Sequence, residues 1–204
     1  MTIDTKDLLN SILSSISRID YIRPGEIPNI DLYMDQVTTF MEEQLKRTKR
    51  HDDDKILTKT MINNYAKNNL LPPPVKKKYS KEHVLVMIFI YYFKNILSIK
   101  DIETLLAPIT DKAFDEEDPL DMTAVYEEIC QMEKSRIEGL QKDVTRSYQL
   151  ALESFPDVPE DQQDYLRLFA FICNLSFDVY VKKLIIEKLI DELPSSENDA
   201  KKKK

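Results

Sequence analysis

Two clusters in this chain carry groups able to read or hold another molecule. Thr58, Lys59, Thr60, Asn63, Asn64, Tyr65 and Lys67 stand within one short window, and Lys76, Lys77 and Lys78 follow nine residues later. At 3.6 residues per turn, Lys59, Thr60, Asn63, Asn64 and Lys67 share one side of a helix, while Met61, Ile62 and Tyr65 take the other. An asparagine amide sets a donor beside an acceptor, which matches the adenine edge in a major groove. Lysine ammonium and threonine hydroxyl groups suit phosphates. Tyr65 has two uses open to it, as a core ring or as a phosphate ligand. These side chains point to recognition of a duplex nucleic acid, not to bond making.

Catalytic chemistry finds less to work with. The histidines are His51 and His83, far apart in the chain, and the two glycines, Gly25 and Gly139, cannot make a glycine-rich phosphate loop. His51-Asp52-Asp53-Asp54 is the one tempting metal run, but successive residues in a polar loop usually form a solvated charge run. We therefore expect no enzyme, no catalytic residue, no metal and no cofactor. Cys130 and Cys173 lie in apolar helical patterns and read as reduced thiols, with a Cys130 to Cys173 disulfide as the alternative. The first residues, Met1 to Asp7, carry acids where a signal peptide would be basic, so a cytoplasmic location is expected.

The elements that must position these groups are helical. Ten prolines fall in clusters that leave long proline-free windows, and scarce glycine disfavours tight hairpins. Leu8, Leu9, Ile12, Leu13, Ile16 and Ile19 describe an amphipathic helix over Thr5 to Ile19. Asp31 is expected to cap a helix from Leu32, with Val37, Phe40, Met41 and Leu45 on one side. A charged loop, Lys46 to Lys55, leads to a helix capped by Thr58. The segment Leu70 to Tyr79, stiffened by Pro72, Pro73 and Pro74, is expected to run extended. Ser80 then caps an apolar helix to about Leu97. Its apolar run is shorter than a membrane span and carries Lys94, so it reads as core. Ser98 opens another helix, with Asp101 completing a capping box and Ile99, Ile102, Leu105 and Leu106 facing the core.

Beyond an acidic connector, Ala107 to Asp121, the stripe from Ile129 to Phe155 predicts a helix of more than thirty residues. From Tyr165 to Leu193, nineteen of twenty-nine residues are apolar, which predicts burial on several faces. Phe169, Phe171, Cys173, Phe177 and Tyr180 there are read as core before they are read as a ligand pocket. The tail Ser195 to Lys204 is polar and expected to be disordered.

Charge is divided unevenly. The chain carries −7 overall, yet Gln44 to His83 holds eleven Lys/Arg against four Asp/Glu, a surplus of seven positive charges. The rest must carry fourteen net negative charges, so a basic module is attached to acidic parts.

Thr58 to Pro74, Tyr79-Ser80-Lys81-Glu82-His83-Val84 and Leu97-Ser98-Ile99-Lys100-Asp101-Ile102 together resemble the DNA-binding domain of MerR-type regulators over about fifty residues. In that family a recognition helix ends in a leucine-proline turn, a basic wing closes on a Tyr-Ser helix start, and a Leu-Ser-hydrophobic-x-x-Ile helix follows. The family's arginine and first tyrosine are replaced here by Asn63-Asn64, and the loop Arg47 to Ile56 is longer than the family's turn. The whole chain also resembles an uncharacterised family of low-GC Gram-positive bacteria, a domain of unknown function, which implies no activity.

These readings combine into an all-α architecture: a winged-helix-like helix-turn-helix module followed by a bundle of long helices. The expected domains are 1–109 (N-terminal arm and module), 110–194 (long-helix bundle or dimerisation region) and 195–204 (tail). The resemblance implies a sequence-specific DNA-binding transcriptional regulator, with double-stranded DNA as partner, a homodimer through the long C-terminal helices, and no membrane. The alternative is a non-enzymatic scaffold that keeps the fold and binds proteins.

Overall fold

Local sequence signals set most of the helix boundaries. The computed structural model describes residues 5–16, 22–115, 117 and 119–193. Among them, α1 (Thr5–Ile16), α2 (Met34–Leu45), α3 (Lys59–Lys67), α4 (Lys81–Phe93), α5 (Ile99–Ala113), α6 (Met122–Leu152) and α7 (Glu160–Asp191) alternate with two short strands, β1 (Leu32–Tyr33) and β2 (Lys78–Tyr79). The all-α class is what the chain adopts. The expected extension of the first helix to Ile19 and the tail Ser195 to Lys204 lie outside the described residues.

The chain divides into two compact units, Ile22–Glu128 with Ile186–Lys204, and Met1–Tyr21 with Ile129–Ile185. The first is built around α4. Every residue from His83 to Tyr91 is buried, which a helix achieves only when it is packed all round. α4 lies against α5 and β2, while α2 lies against β1, β2 and α3. Lys94, the charge that interrupts the apolar run, donates from Nζ to the Ile56 carbonyl at 2.7 Å and stands 4.7 Å from the Tyr91 ring centroid. Burial holds its ammonium below the ordinary lysine range. Tyr126 adds a second brace, its hydroxyl donating to the Ile22 carbonyl at 2.8 Å while its ring meets Phe89 edge-on.

The capping signals around α5 are realised in full. Ser98 Oγ accepts from the Asp101 amide at 3.1 Å, and Asp101 Oδ2 accepts from the Ser98 amide at 3.2 Å. Ile102 and Leu106 are buried, Leu105 is half-buried and Ile99 is exposed, so only part of the expected face meets the core. The helix also continues through Pro108 to Ala113, into the stretch expected to be a connector. Proline removes one backbone donor there without ending the helix, and Thr110 donates its hydroxyl to the Leu106 and Ala107 carbonyls at 3.1 and 3.0 Å.

A further correction concerns α2. It starts at Met34, not Leu32, because Leu32–Tyr33 is taken up by β1, and Gln36 instead of Asp31 receives the first free amide, from Tyr33 at 2.9 Å. β1 pairs antiparallel with β2, Leu32 opposite Tyr79 and Tyr33 opposite Lys78.

In the second unit, Leu9 of α1, Tyr148 and Ala151 of α6 and Phe171 of α7 form a core, joined by Leu13, Val144, Leu152, Ala170 and Leu175. Tyr148 and Phe171 meet edge-on at 5.4 Å, and Gln141 Nε2 donates to the Leu13 carbonyl at 3.1 Å. α6 runs for 31 residues, as its apolar stripe predicts. The expectation for α7 is overturned: only the side bearing Phe171 and Leu175 is packed, and Tyr165, Phe169, Ile172, Phe177, Val179, Tyr180, Leu184 and Ile185 are exposed. Among the described residues of this unit, nothing else covers the opposite side. Cys130 is buried, Cys173 is exposed, and neither is joined in a disulfide. No described helix is long and apolar enough to cross a membrane.

Candidate nucleic-acid interface

α3 is fixed at its start by a side chain and at its end by backbone bonds. Thr58, extended, accepts through Oγ1 from the Met61 amide at 3.2 Å. At the other end Asn69 takes φ +55°, the Leu70 amide donates to the Tyr65 carbonyl at 2.9 Å, and the Asn69 amide donates to the Ala66 carbonyl at 3.4 Å. This is a Schellman closure with asparagine where glycine is usual. Leu70 and Leu71 are buried beyond it, and the three prolines carry the chain away.

Between these ends the helix separates its faces as the spacing predicts. Ile62 and Tyr65 are buried, Met61 is half-buried, and Lys59, Thr60, Asn63, Asn64 and Lys67 are exposed. Tyr65 is 5% exposed, and burial raises its phenol above the ordinary range. Its ring belongs to the core, which is the first of its two possible uses. Lys59 forms an ion pair with Asp35 in the first turn of α2, an internal partner that sequence spacing did not reveal. Both groups are exposed, so the pair is weak and open to exchange.

The segment Leu70 to Tyr79 does not run extended to its end, because the lysines after the prolines form a hairpin. The Lys78 amide donates to the Val75 carbonyl at 2.9 Å, and Val75 and Lys78 pair across a two-residue tip. Lys76 and Lys77 occupy that tip with φ +50° and +64°, the two left-handed residues of a type I′ turn. Both are exposed. Lys78 is half-buried at the base, 5.4 Å from the Tyr33 ring centroid. Absence of glycine hid this turn, since Asn-Gly or Asp-Gly is its ordinary signature.

His83 locks the hairpin's exit into α4, a role its sequence position did not announce. Its Nδ1 accepts from the Ser80 amide at 3.1 Å and lies 2.9 Å from Ser80 Oγ, and its ring meets Phe114 at 4.5 Å and Tyr79 at 5.6 Å, both edge-on. Burial pushes its pKa below the ordinary imidazole value. The Pro73 carbonyl, the Glu82 charge, the Pro72 carbonyl and the Asp31 charge oppose that shift more weakly. The buried Nε2 completes no hydrogen bond, so the prolyl carbonyls act on it only as nearby dipoles.

Within the acidic run of the long loop, Asp54 holds the local turn together. Asp54 Oδ2 accepts from the Arg50 and His51 amides at 3.1 and 2.9 Å, and the His51 amide chiefly lowers its pKa. Among the described residues, no three His, Cys, Asp or Glu are grouped to hold a metal ion.

Residues 22–129 match the family described as Domain of unknown function (DUF1836), more than half of the chain. The chain belongs to the DUF1836 family. The match almost coincides with the span Ile22–Glu128 of the first unit. The DUF1836 domain therefore contains α2 to α5, the hairpin, the start of α6, and all ten residues singled out from Thr58 to Lys78. No curated protein and no solved structure matches the chain. Within the DUF1836 domain, Thr60, Asn63, Asn64 and Lys67 share the free side of α3, and Lys76 and Lys77 cap a hairpin two residues beyond its three prolines. Tyr65 is turned into the core and Lys78 toward Tyr33.

Proposed function

We propose that this DUF1836 protein is a non-enzymatic, sequence-specific DNA-binding regulator of MerR-like type that works in the cytoplasm. α3 is the reader and the Lys76-Lys77 hairpin is the wing. The observation that carries this reading is the free face of α3. Two amides, a hydroxyl and an ammonium group project from a helix anchored on its other side by Ile62 and Tyr65, within a stretch with a surplus of seven positive charges. Asn63 and Asn64 are assigned to adenine edges, Thr58 and Thr60 to phosphates at the helix start, and Lys59, Lys67 and Lys76 to Lys78 to the backbone. The hairpin supports the assignment because it holds two ammonium groups at a defined tip. A homodimer through the long helices would address a two-fold site.

Selection of bound fragments from randomised duplex tests this directly. A recurrent, two-fold symmetric site whose affinity falls steeply with salt is expected, and Asn63→Ala should relax preference at one position per half-site by about 1–3 kcal/mol. Enrichment of no sequence would overturn the regulator reading. The second reading, a scaffold that grips proteins, is favoured by one observation, the apolar side of α7 left uncovered. A chain that binds no duplex yet associates through α7 would support it.

A further inference from the structure

The uncovered side of α7 has an order that a second copy of the same helix would match. Tyr165, Phe169, Ile172, Cys173, Ser176, Phe177, Tyr180 and Leu184 fall on one continuous stripe opposite the packed residues Phe171 and Leu175. Tyr165 is 72% and Phe177 65% exposed, and Phe169, Ile172, Tyr180 and Leu184 are exposed as well. The stripe reads nearly the same from both ends about a point between Asn174 and Leu175. Large apolar residues lie equally far on either side: Ile172 and Phe177, Phe169 and Tyr180, Tyr165 and Leu184. The small Cys173 and Ser176 flank the centre.

We propose that this stripe is a self-association face on which α7 packs antiparallel against α7 of a second copy, with the two-fold axis beside Asn174 and Leu175. This deepens the dimer suggested above, naming its helix, direction and register, and it rests on that part of the reading alone. In this register Phe169 of each copy lies level with Tyr180 of the other, Ile172 with Phe177, and Tyr165 with Leu184. The centre, Cys173 level with Ser176, lets the two backbones approach. A parallel, in-register pair would set Lys183 against Lys183, whereas the antiparallel pair brings it level with Leu166 and also opposes the two helix dipoles.

Area favours a second copy as the occupant. From their exposures, the six large residues offer roughly 650 Å² per copy, or about 1,300 Å² for a symmetric pair, inside the range of about 1,200–2,000 Å² typical of stable interfaces. A patch of this size exceeds what monomeric proteins usually leave in water. Symmetry supplies the matching surface without any further partner.

Light scattering on the full chain should give twice the chain mass at micromolar concentration. Phe169→Asp with Tyr180→Asp should halve that mass with unchanged helical circular dichroism, because both side chains are exposed and contribute nothing to the unit's own core. A monomeric wild type, or a dimer that survives the double change, overturns the proposal. A monomer that recovers double mass only with a foreign protein overturns it as well. Direction is read by cysteine cross-linking in a Cys173→Ser background. Chains carrying Phe169→Cys mixed with chains carrying Tyr180→Cys should form a disulfide under mild oxidant. Phe169→Cys alone should not, since its two copies would stand about 16 Å apart along the axis. Cross-linking of Phe169→Cys alone would establish a parallel pair and overturn the register. None of these results depends on DNA, and the duplex selection can fail or succeed independently of them.

Discussion

Replacing Lys76-Lys77 by Asn-Gly should make the protein more stable and a poorer DNA binder. Both lysines sit at the left-handed positions of a type I′ turn, with φ +50° and +64°. A residue with a Cβ held in that region costs about 1–2 kcal/mol, whereas glycine adopts it freely and asparagine tolerates it. The greater freedom of glycine in the unfolded chain returns about 0.5–1 kcal/mol of the relief, leaving a net gain near 1 kcal/mol. In a chain of this size that raises the melting temperature by roughly 2–4 °C, measurable by calorimetry. The same change removes two exposed ammonium groups, so the slope of log affinity against log salt should shrink by up to about 1.8 if each contacts one phosphate. Lys76→Gln with Lys77→Gln separates the effects, because it keeps the strained backbone and removes only the charge. It should lower affinity without raising stability. An Asn-Gly variant that melts at or below the wild-type temperature would refute the strain argument, and an unchanged salt slope would refute the wing.

His83 should make stability fall in mild acid. Its folded pKa lies below the ordinary imidazole value near 6.5, so the unfolded chain binds the proton more readily. Stability is therefore complete above about pH 7 and falls by at most about 1.4 kcal/mol per pH unit as pH drops through 6.5 toward the lowered folded value. His83→Gln, which keeps an acceptor for the Ser80 amide, should flatten urea midpoints between pH 7 and 5.5, and an unchanged profile would place the sensitivity elsewhere. Tyr126→Phe strands the buried Ile22 carbonyl and should cost about 1–3 kcal/mol in urea unfolding. Thr58→Ala removes the cap of α3 and should cost about 1 kcal/mol, read as a lower urea midpoint, together with weaker duplex binding.

What could be read ahead of the structure was whatever depends on neighbours in sequence. Thr58 announces α3, Ser98 with Asp101 announces α5, and the stripe from Ile129 to Phe155 announces a helix beyond thirty residues, because capping and amphipathic spacing act within a few turns. The misses have a different physical origin. β1 exists because Leu32 and Tyr33 find Tyr79 and Lys78 more than forty residues later, and no local signal carries that pairing. The hairpin tip was concealed because two lysines occupy positions at which a reader looks for glycine. α5 passes Pro108 because its packed residues Ile102, Leu106, Thr110 and Ala113 continue on both sides of the ring, and burial outweighs one missing donor. The outward face of α3 was legible from its 3.6 period, but the Lys59 pairing with Asp35 and the insertion of His83 between Tyr79 and Phe114 required tertiary structure.

The pairing of β1 with β2 also limits how the domain can be cut. Because Leu32–Tyr33 precede α2 and Lys78–Tyr79 follow α3, the two helices hang within a loop whose ends are stitched together by backbone hydrogen bonds. A fragment begun at Met34, although it retains every residue assigned to DNA, would leave one edge of Lys78–Tyr79 unpaired and remove the tyrosine ring beside Lys78. The shortest segment that keeps the hairpin anchored must therefore start upstream of Leu32, well before Thr58, the first residue assigned to DNA.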